Sequence, residues 1–96
     1  MTGALILIVE DNDKNLKLAR DLLQHYGFRT LEADTAATGI ALAEQHVPDL
    51  ILMDIQLPDM DGVTALGRLR ESAATTSIPV VALTAFFGRE QPLRHR

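Results

Sequence analysis

Three acids and a hydroxyl, scattered along the chain, are of the kinds that handle phosphate: Glu10, Asp11, Asp54 and Thr84. Asp54 follows the apolar run Leu50-Ile51-Leu52-Met53 and precedes a turn-forming stretch, Gln56-Leu57-Pro58-Asp59-Met60-Asp61-Gly62. Glu10 and Asp11 follow the apolar run Leu5 to Val9, and Thr84-Ala85 follow Ile78 to Leu83. A carboxylate at the end of a rigid strand is a candidate nucleophile or metal ligand. Three of them in a small space repel one another unless a cation lies among them. Oxygen-only ligands favour a hard divalent ion, Mg²⁺ before Ca²⁺ when ligands are few and waters remain. With a metal held by Asp11 and Asp54, the Asp54 carboxylate could attack phosphorus and become an aspartyl phosphate. The Thr84 hydroxyl and adjacent backbone N–H groups could hold the equatorial oxygens. Taken singly, Asp54 would only end a strand, and Glu10-Asp11 would only match the dipole of a following helix. The phosphate reading rests on their meeting.

The elements needed to bring them together are visible as hydrophobic patterns. Leu5 to Val9, Leu50 to Met53 and Ile78 to Leu83 are short apolar runs bounded by turn signals, the mark of strands buried on both faces. Phe28 to Ala33 alternates, as a half-exposed edge strand does. The first helix is expected to be capped by Asp13 and to bury Leu16, Ala19, Leu23 and Tyr26 with Leu22 beside them, ending at Gly27. A second runs from Thr35 to about His46 with Ala36, Ile40 and Ala43 inward, although Gly39 weakens it. A third starts after Asp61 and runs to about Ser72, with Val63, Leu66 and Leu69 inward and Arg68, Arg70 and Glu71 outward. Ser72 to Ser77 reads as a loop. Strand and helix alternate throughout, which means an α/β fold with a parallel sheet and right-handed crossovers. Open sheets of this kind bind ligands at the carboxyl ends of their strands, where the acids fall.

Composition narrows the function classes. The chain has 96 residues, enough for one small domain, and 47% of them are hydrophobic, so a core can form. A net charge of −4 gives no electrostatic reason to expect a nucleic acid or an anionic membrane as partner. The absence of cysteine excludes disulfides and thiol chemistry and permits a reducing cytoplasm. The run Leu5 to Val9 is too short for a signal-peptide core or a membrane span. There is no Walker loop, dinucleotide-binding glycine fingerprint, nucleophile elbow or zinc spacing. Asp59-Met60-Asp61-Gly62 resembles the start of a calcium loop but lacks the remaining ligands. His25 and His46 fall near helix ends and read as solvated side chains.

Val9-Glu10-Asp11-Asn12, Pro48 through Gly62, and Ile78-Pro79-Val80-Val81-Ala82-Leu83-Thr84-Ala85 together resemble the receiver domain of two-component response regulators. The likeness covers residues 4 to about 87 and is closest to stand-alone receivers and those of hybrid sensor kinases. It implies a flavodoxin-like, doubly wound parallel sheet of strand order 2-1-3-4-5. It implies that Asp54 accepts phosphate from a kinase histidine, on a sensor histidine kinase or a histidine phosphotransferase. It implies Mg²⁺ held by Asp11, Asp54 and the Gln56 backbone carbonyl, with Glu10 acting through water. Thr84 would be the switch hydroxyl, and the Gln56 and Ala85 N–H groups would touch the phosphoryl group. The chain would be a cytoplasmic signalling phosphoacceptor that assists its own phosphorylation, not an enzyme.

The sequence also departs from that pattern. The family continues through a fifth strand ending in a lysine, whereas the only lysines here are Lys14 and Lys17. We therefore expect an incomplete receiver over residues 1–87, of strand order 2-1-3-4 without the fifth strand and last helix, and a non-family basic tail over 88–96. Truncation or a shifted reading frame would produce such an end. The fourth strand would then offer an open apolar edge for self-association, and phosphorylation would be slow. Two other readings compete: a docking module without phosphotransfer, and a Mg²⁺-dependent phosphatase with an aspartyl-phosphate intermediate. The phosphatase ranks last, because that class usually carries a second aspartate where this chain has Gln56.

Overall fold

Side chains on successive strand residues point to opposite faces, so an unbroken apolar run needs cover on both sides. That is how the strands are used in the computed structural model, which describes residues 3–83. β1 is Leu5–Val9, α1 Asp13–His25, β2 Arg29–Ala33, α2 Ala36–His46, β3 Leu50–Met53, α3 Gly62–Glu71 and β4 Val80–Ala82. Among the described residues all pairings between these strands are parallel and the sheet order is β2-β1-β3-β4, the expected doubly wound order. Leu7, Val9, Ile51 and Met53 face the α2 and α3 side, packed with Ala36, Ala43, Ala65 and Leu69. Ile6, Ile8 and Leu52 face the other side, against Ala19 and Leu23 of α1. Two thin cores therefore share one sheet.

The helix starts are fixed by side chains rather than by propensity. Asn12, not Asp13, caps α1: its Oδ1 accepts the Asn15 N–H at 3.0 Å, and Asp13 is the first helical residue. Either type caps well, and the run of adjacent acid and amide left a one-residue ambiguity. Thr35 caps α2 and Asp61 caps α3, as expected. Gly27 follows α1 with φ of 90°, the left-handed conformation that terminates a helix cheaply. Gly39 is required by packing: a Cβ there would sit 2.8 Å from Cγ2 of Val9. The residue that weakens α2 as an isolated helix is the one that lets it lie close on β1.

Three expected core positions are not core. Tyr26 is 66% exposed, lies past the end of α1 and has left its helical line, and Leu22 is also exposed. Val63 is 78% exposed, because the buried line of α3 runs through Ala65 and Leu69. The stretch Ser72 to Ser77 is a structured turn. Thr75 is buried and its hydroxyl donates to the Leu69 carbonyl, while Nη1 of Arg70 donates to the carbonyls of Thr75, Thr76 and Ile78. β4 is the outermost strand on its side among the described residues. The expectations placed on Thr84, Ala85, a fifth strand and the tail over 88–96 lie outside the described residues.

Candidate phosphoacceptor and metal site

Register brings the acids together. Val9 pairs with Met53, so the residues that follow them leave the sheet side by side. The Asp54 N–H donates to the Val9 carbonyl at 3.0 Å, and the Glu10 N–H to the Ala33 carbonyl at 2.9 Å. Ladder bonds thus continue one residue past the strands and set both backbones at the carboxyl edge. One carboxylate oxygen from each of Glu10, Asp11 and Asp54 lies within 4.8 Å of the others. The predicted convergence of these three is what the structure shows.

Their environments differ. Glu10 is buried, Asp54 half-buried and Asp11 exposed. Burial pushes the Glu10 carboxyl above its ordinary value, opposed by the Asn12 N–H, which donates to Glu10 Oε2 at 3.0 Å. The neighbouring Asp54 carboxylate, by charge and by hydrogen bonding, and the Asp11 charge raise it further. Among the described residues no ion pair reaches any of the three; the described pairs join Lys17 and Arg20 to Asp21, and Arg20 to Glu32. Clustered carboxylates without a counter-charge form a donor set that a small hard cation relieves. Opposed ligands on Mg²⁺ stand about 4.2 Å apart with bonds of about 2.1 Å, so the spacing suits one ion completed by water. The residues present fit the metal.

The loop after Asp54 supplies backbone groups. The Gln56 N–H donates to Asp54 Oδ1 at 3.3 Å, placing an amide beside the carboxylate. The loop closes on itself through an isolated Gln56–Asp61 bridge and the Gly62 N–H on the Ile55 carbonyl at 2.6 Å. Gly62 allows that approach, since a Cβ there would stand 3.1 Å from Cα of Ile55. An apolar groove of about 240 Å³, lined by Ile55, Val63, Leu66 and Val80 among others, runs along the side of Asp54.

Asp59 and Asp61 form no calcium loop. Asp61 accepts the Thr64 N–H at 2.7 Å, and Asp59 accepts the N–H groups of Ala36 and Ala37 at 2.9 Å each. The contact of Asp59 with α2 was not read from the sequence, since no local pattern signals a partner 23 residues away. The Asn12 N–H on Glu10 was not read from the sequence either; its only available signal is the two-residue spacing just past a strand end.

Known proteins share these features. A family model described as the response regulator receiver domain matches residues 6–94. The polar-differentiation response regulator DivK of Brucella ovis is 43% identical over 91 residues, covering 93% of this chain and 74% of that protein. The receiver domain of sensor histidine kinase PA1611 from Pseudomonas aeruginosa PAO1 is 32% identical with a TM-score of 0.80. That match covers 84% of this chain and 66% of that one, whose structure has a magnesium ion coordinated in the active site cleft. The chemotaxis response regulator CheY4 of Vibrio cholerae, at 23% identity and a TM-score of 0.81 over 84% of this chain and 68% of that one, shows the same fold. A family match over nearly the whole sequence, on a sheet of this order with its acids at this edge, means that the chain belongs to the response regulator receiver domains.

Proposed function

We propose that Asp54 is the phosphoacceptor, taking a phosphoryl group from a phosphohistidine on a sensor kinase or a histidine phosphotransferase. The observation that carries this is the convergence of Glu10, Asp11 and Asp54 where β1 and β3 end side by side. An Asp54 oxygen forms a bond to phosphorus as the N–P bond to the donor imidazole breaks, and the released imidazole nitrogen takes a proton from solvent. Asp11, Asp54 and the Gln56 carbonyl would hold Mg²⁺, with Glu10 acting through water. The ion would supply neutralisation of charge on the transferring group. The Gln56 N–H, which donates to Asp54 Oδ1 at 3.3 Å, would in this reading donate to a phosphoryl oxygen. In this reading Thr84 and Ala85, next in sequence after Leu83, are the switch hydroxyl and the second phosphoryl-binding amide. The chain serves as a cytoplasmic relay component that carries phosphate rather than turning over a substrate. Among the described residues no helix is long and apolar enough to cross a membrane.

Acetyl phosphate labelling, read on a Phos-tag gel, tests the assignment. A retarded band that needs Mg²⁺ and vanishes in Asp54→Ala is expected. Labelling that persists in Asp54→Ala would move the acceptor elsewhere.

A further inference from the structure

We propose that Asp59 is a positioning residue: by clamping the first two amides of α2 it sets where Gln56 presents its N–H to Asp54. The proposal deepens, and rests on, the phosphoacceptor reading. Oδ1 of Asp59 accepts the Ala36 N–H and Oδ2 accepts the Ala37 N–H, each at 2.9 Å. With both oxygens engaged on neighbouring amides, the carboxylate plane is fixed as well as its position. Thr35 Oγ1 takes the Thr38 N–H at 3.1 Å, and the Gly39 N–H reaches the Thr35 carbonyl. The first turn of α2 is therefore fully partnered, two of its amides by a residue from a different element.

Among the described residues, the loop's other polar ties do not do this. The Gly62–Ile55 bond and the Gln56–Asp61 bridge close the loop on itself and on the start of α3. They fix its shape, not its place relative to α2. Leu57 is buried and anchors the loop to the core, but an apolar contact is not directional. Only Leu57 and Pro58 separate Gln56 from Asp59, and proline fixes one backbone torsion, so the lever is short and stiff. Its far end is firm too, because α2 is seated on Val9, the residue before Glu10, through the close approach at Gly39. The Asp59 carboxyl is held below the ordinary carboxylate range by the two α2 amides, so it is ionised at neutral pH and gains from the helix dipole.

The experiment compares Asp59→Ala, Asp59→Asn and Thr35→Ala in the full chain. Thr35→Ala weakens the same helix end without touching the loop, so it controls for loss of stability alone. The readouts are the Gln56 amide resonance in metal-free protein, the Mg²⁺ dissociation constant from titrating that resonance, and the rate of acetyl phosphate labelling. Asp59→Ala is expected to shift the Gln56 amide, weaken Mg²⁺ about tenfold and slow labelling. Asp59→Asn keeps one acceptor oxygen and should fall between, which preserves the test if the alanine variant fails to fold. Thr35→Ala should leave Gln56 and Mg²⁺ affinity near wild type. Equal effects of Asp59→Ala and Thr35→Ala at matched loss of melting temperature would overturn the proposal, as would an unmoved Gln56 amide. Failure of wild-type protein to label would instead count against the phosphoacceptor reading, while the metal-free Gln56 resonance still decides the role of Asp59.

Discussion

Glu10 is 2% exposed, yet it carries an ionisable group whose neighbours are also acids. Its carboxyl titrates above the ordinary value of 4.5, chiefly because burial penalises the charged form. The sign of the consequence follows from proton counting. Between the unfolded value and the raised folded one, the folded protein holds more protons than the unfolded chain, so stability falls as pH rises through that window. A cation reverses the preference, because it favours the ionised carboxylate and competes with the proton. Mg²⁺ affinity should therefore drop over the acid range in which Glu10 takes up its proton, and drop less steeply in Glu10→Gln. Calorimetric titrations across that range would check it; parallel slopes for the two proteins would remove Glu10 from the site. At this scale much of the chemistry was legible in the sequence. Glu10 and Asp54 could be read because each directly follows an apolar run, and Asp11 because it adjoins Glu10; the end of a buried strand is a local signal. Asp59 could not, since its meaning lies in amides of α2 that only the folded chain brings near.

The connection between α2 and β3 carries the one described non-glycine residue in the left-handed region. Val47, the C-terminal cap of α2, has φ of 45° and ψ of 66°. A β-branched side chain there is strained by about 1–2 kcal/mol. Pro48 explains why the helix must stop, since its ring disfavours a helical residue before it. Val47 is 52% exposed, so its side chain contributes little burial to offset the strain. Val47→Asn, which tolerates this conformation, should raise stability by about 0.5–1 kcal/mol in urea unfolding. Val47→Gly should gain less, because glycine also loses more backbone entropy on folding. A destabilised Val47→Asn would mean that the valine side chain holds the turn. The order and type of elements were readable because each strand or helix repeats its own period several times. Helix phase was less so: Leu22, Tyr26 and Val63 are spaced almost as well for burial as their neighbours, and only packing against the sheet selects Ala19, Leu23 and Ala65. The turn built by Arg70 and Thr75 was hidden for a different reason. A small polar stretch looks the same whether its carbonyls face water or a guanidinium.

For the molecule as a whole, the acidic cluster sits where the two central strands end, between cores that both depend on those strands. Anything that pushes β1 and β3 apart there loosens both sides of the sheet. Without metal, repulsion among Glu10, Asp11 and Asp54 is such a push, in a chain whose net charge of −4 already includes them. Asp54→Asn removes one charge from the cluster while keeping its size. It should stabilise the metal-free protein by about 1 kcal/mol, the low end of the Coulomb range because Asp54 is only half-buried. With Mg²⁺ the ranking should invert. At a hundredfold excess over its dissociation constant, Mg²⁺ adds about 2.7 kcal/mol to wild type, on the order of 10 °C or more in melting temperature for a domain of this size. Asp54→Asn and Asp11→Asn should lose most of that gain. Sodium chloride at matched ionic strength separates binding from screening, since screening needs no set of carboxylate ligands. Melting curves with Mg²⁺ that rise no further than those with sodium chloride would show that the three carboxylates meet without forming a metal site.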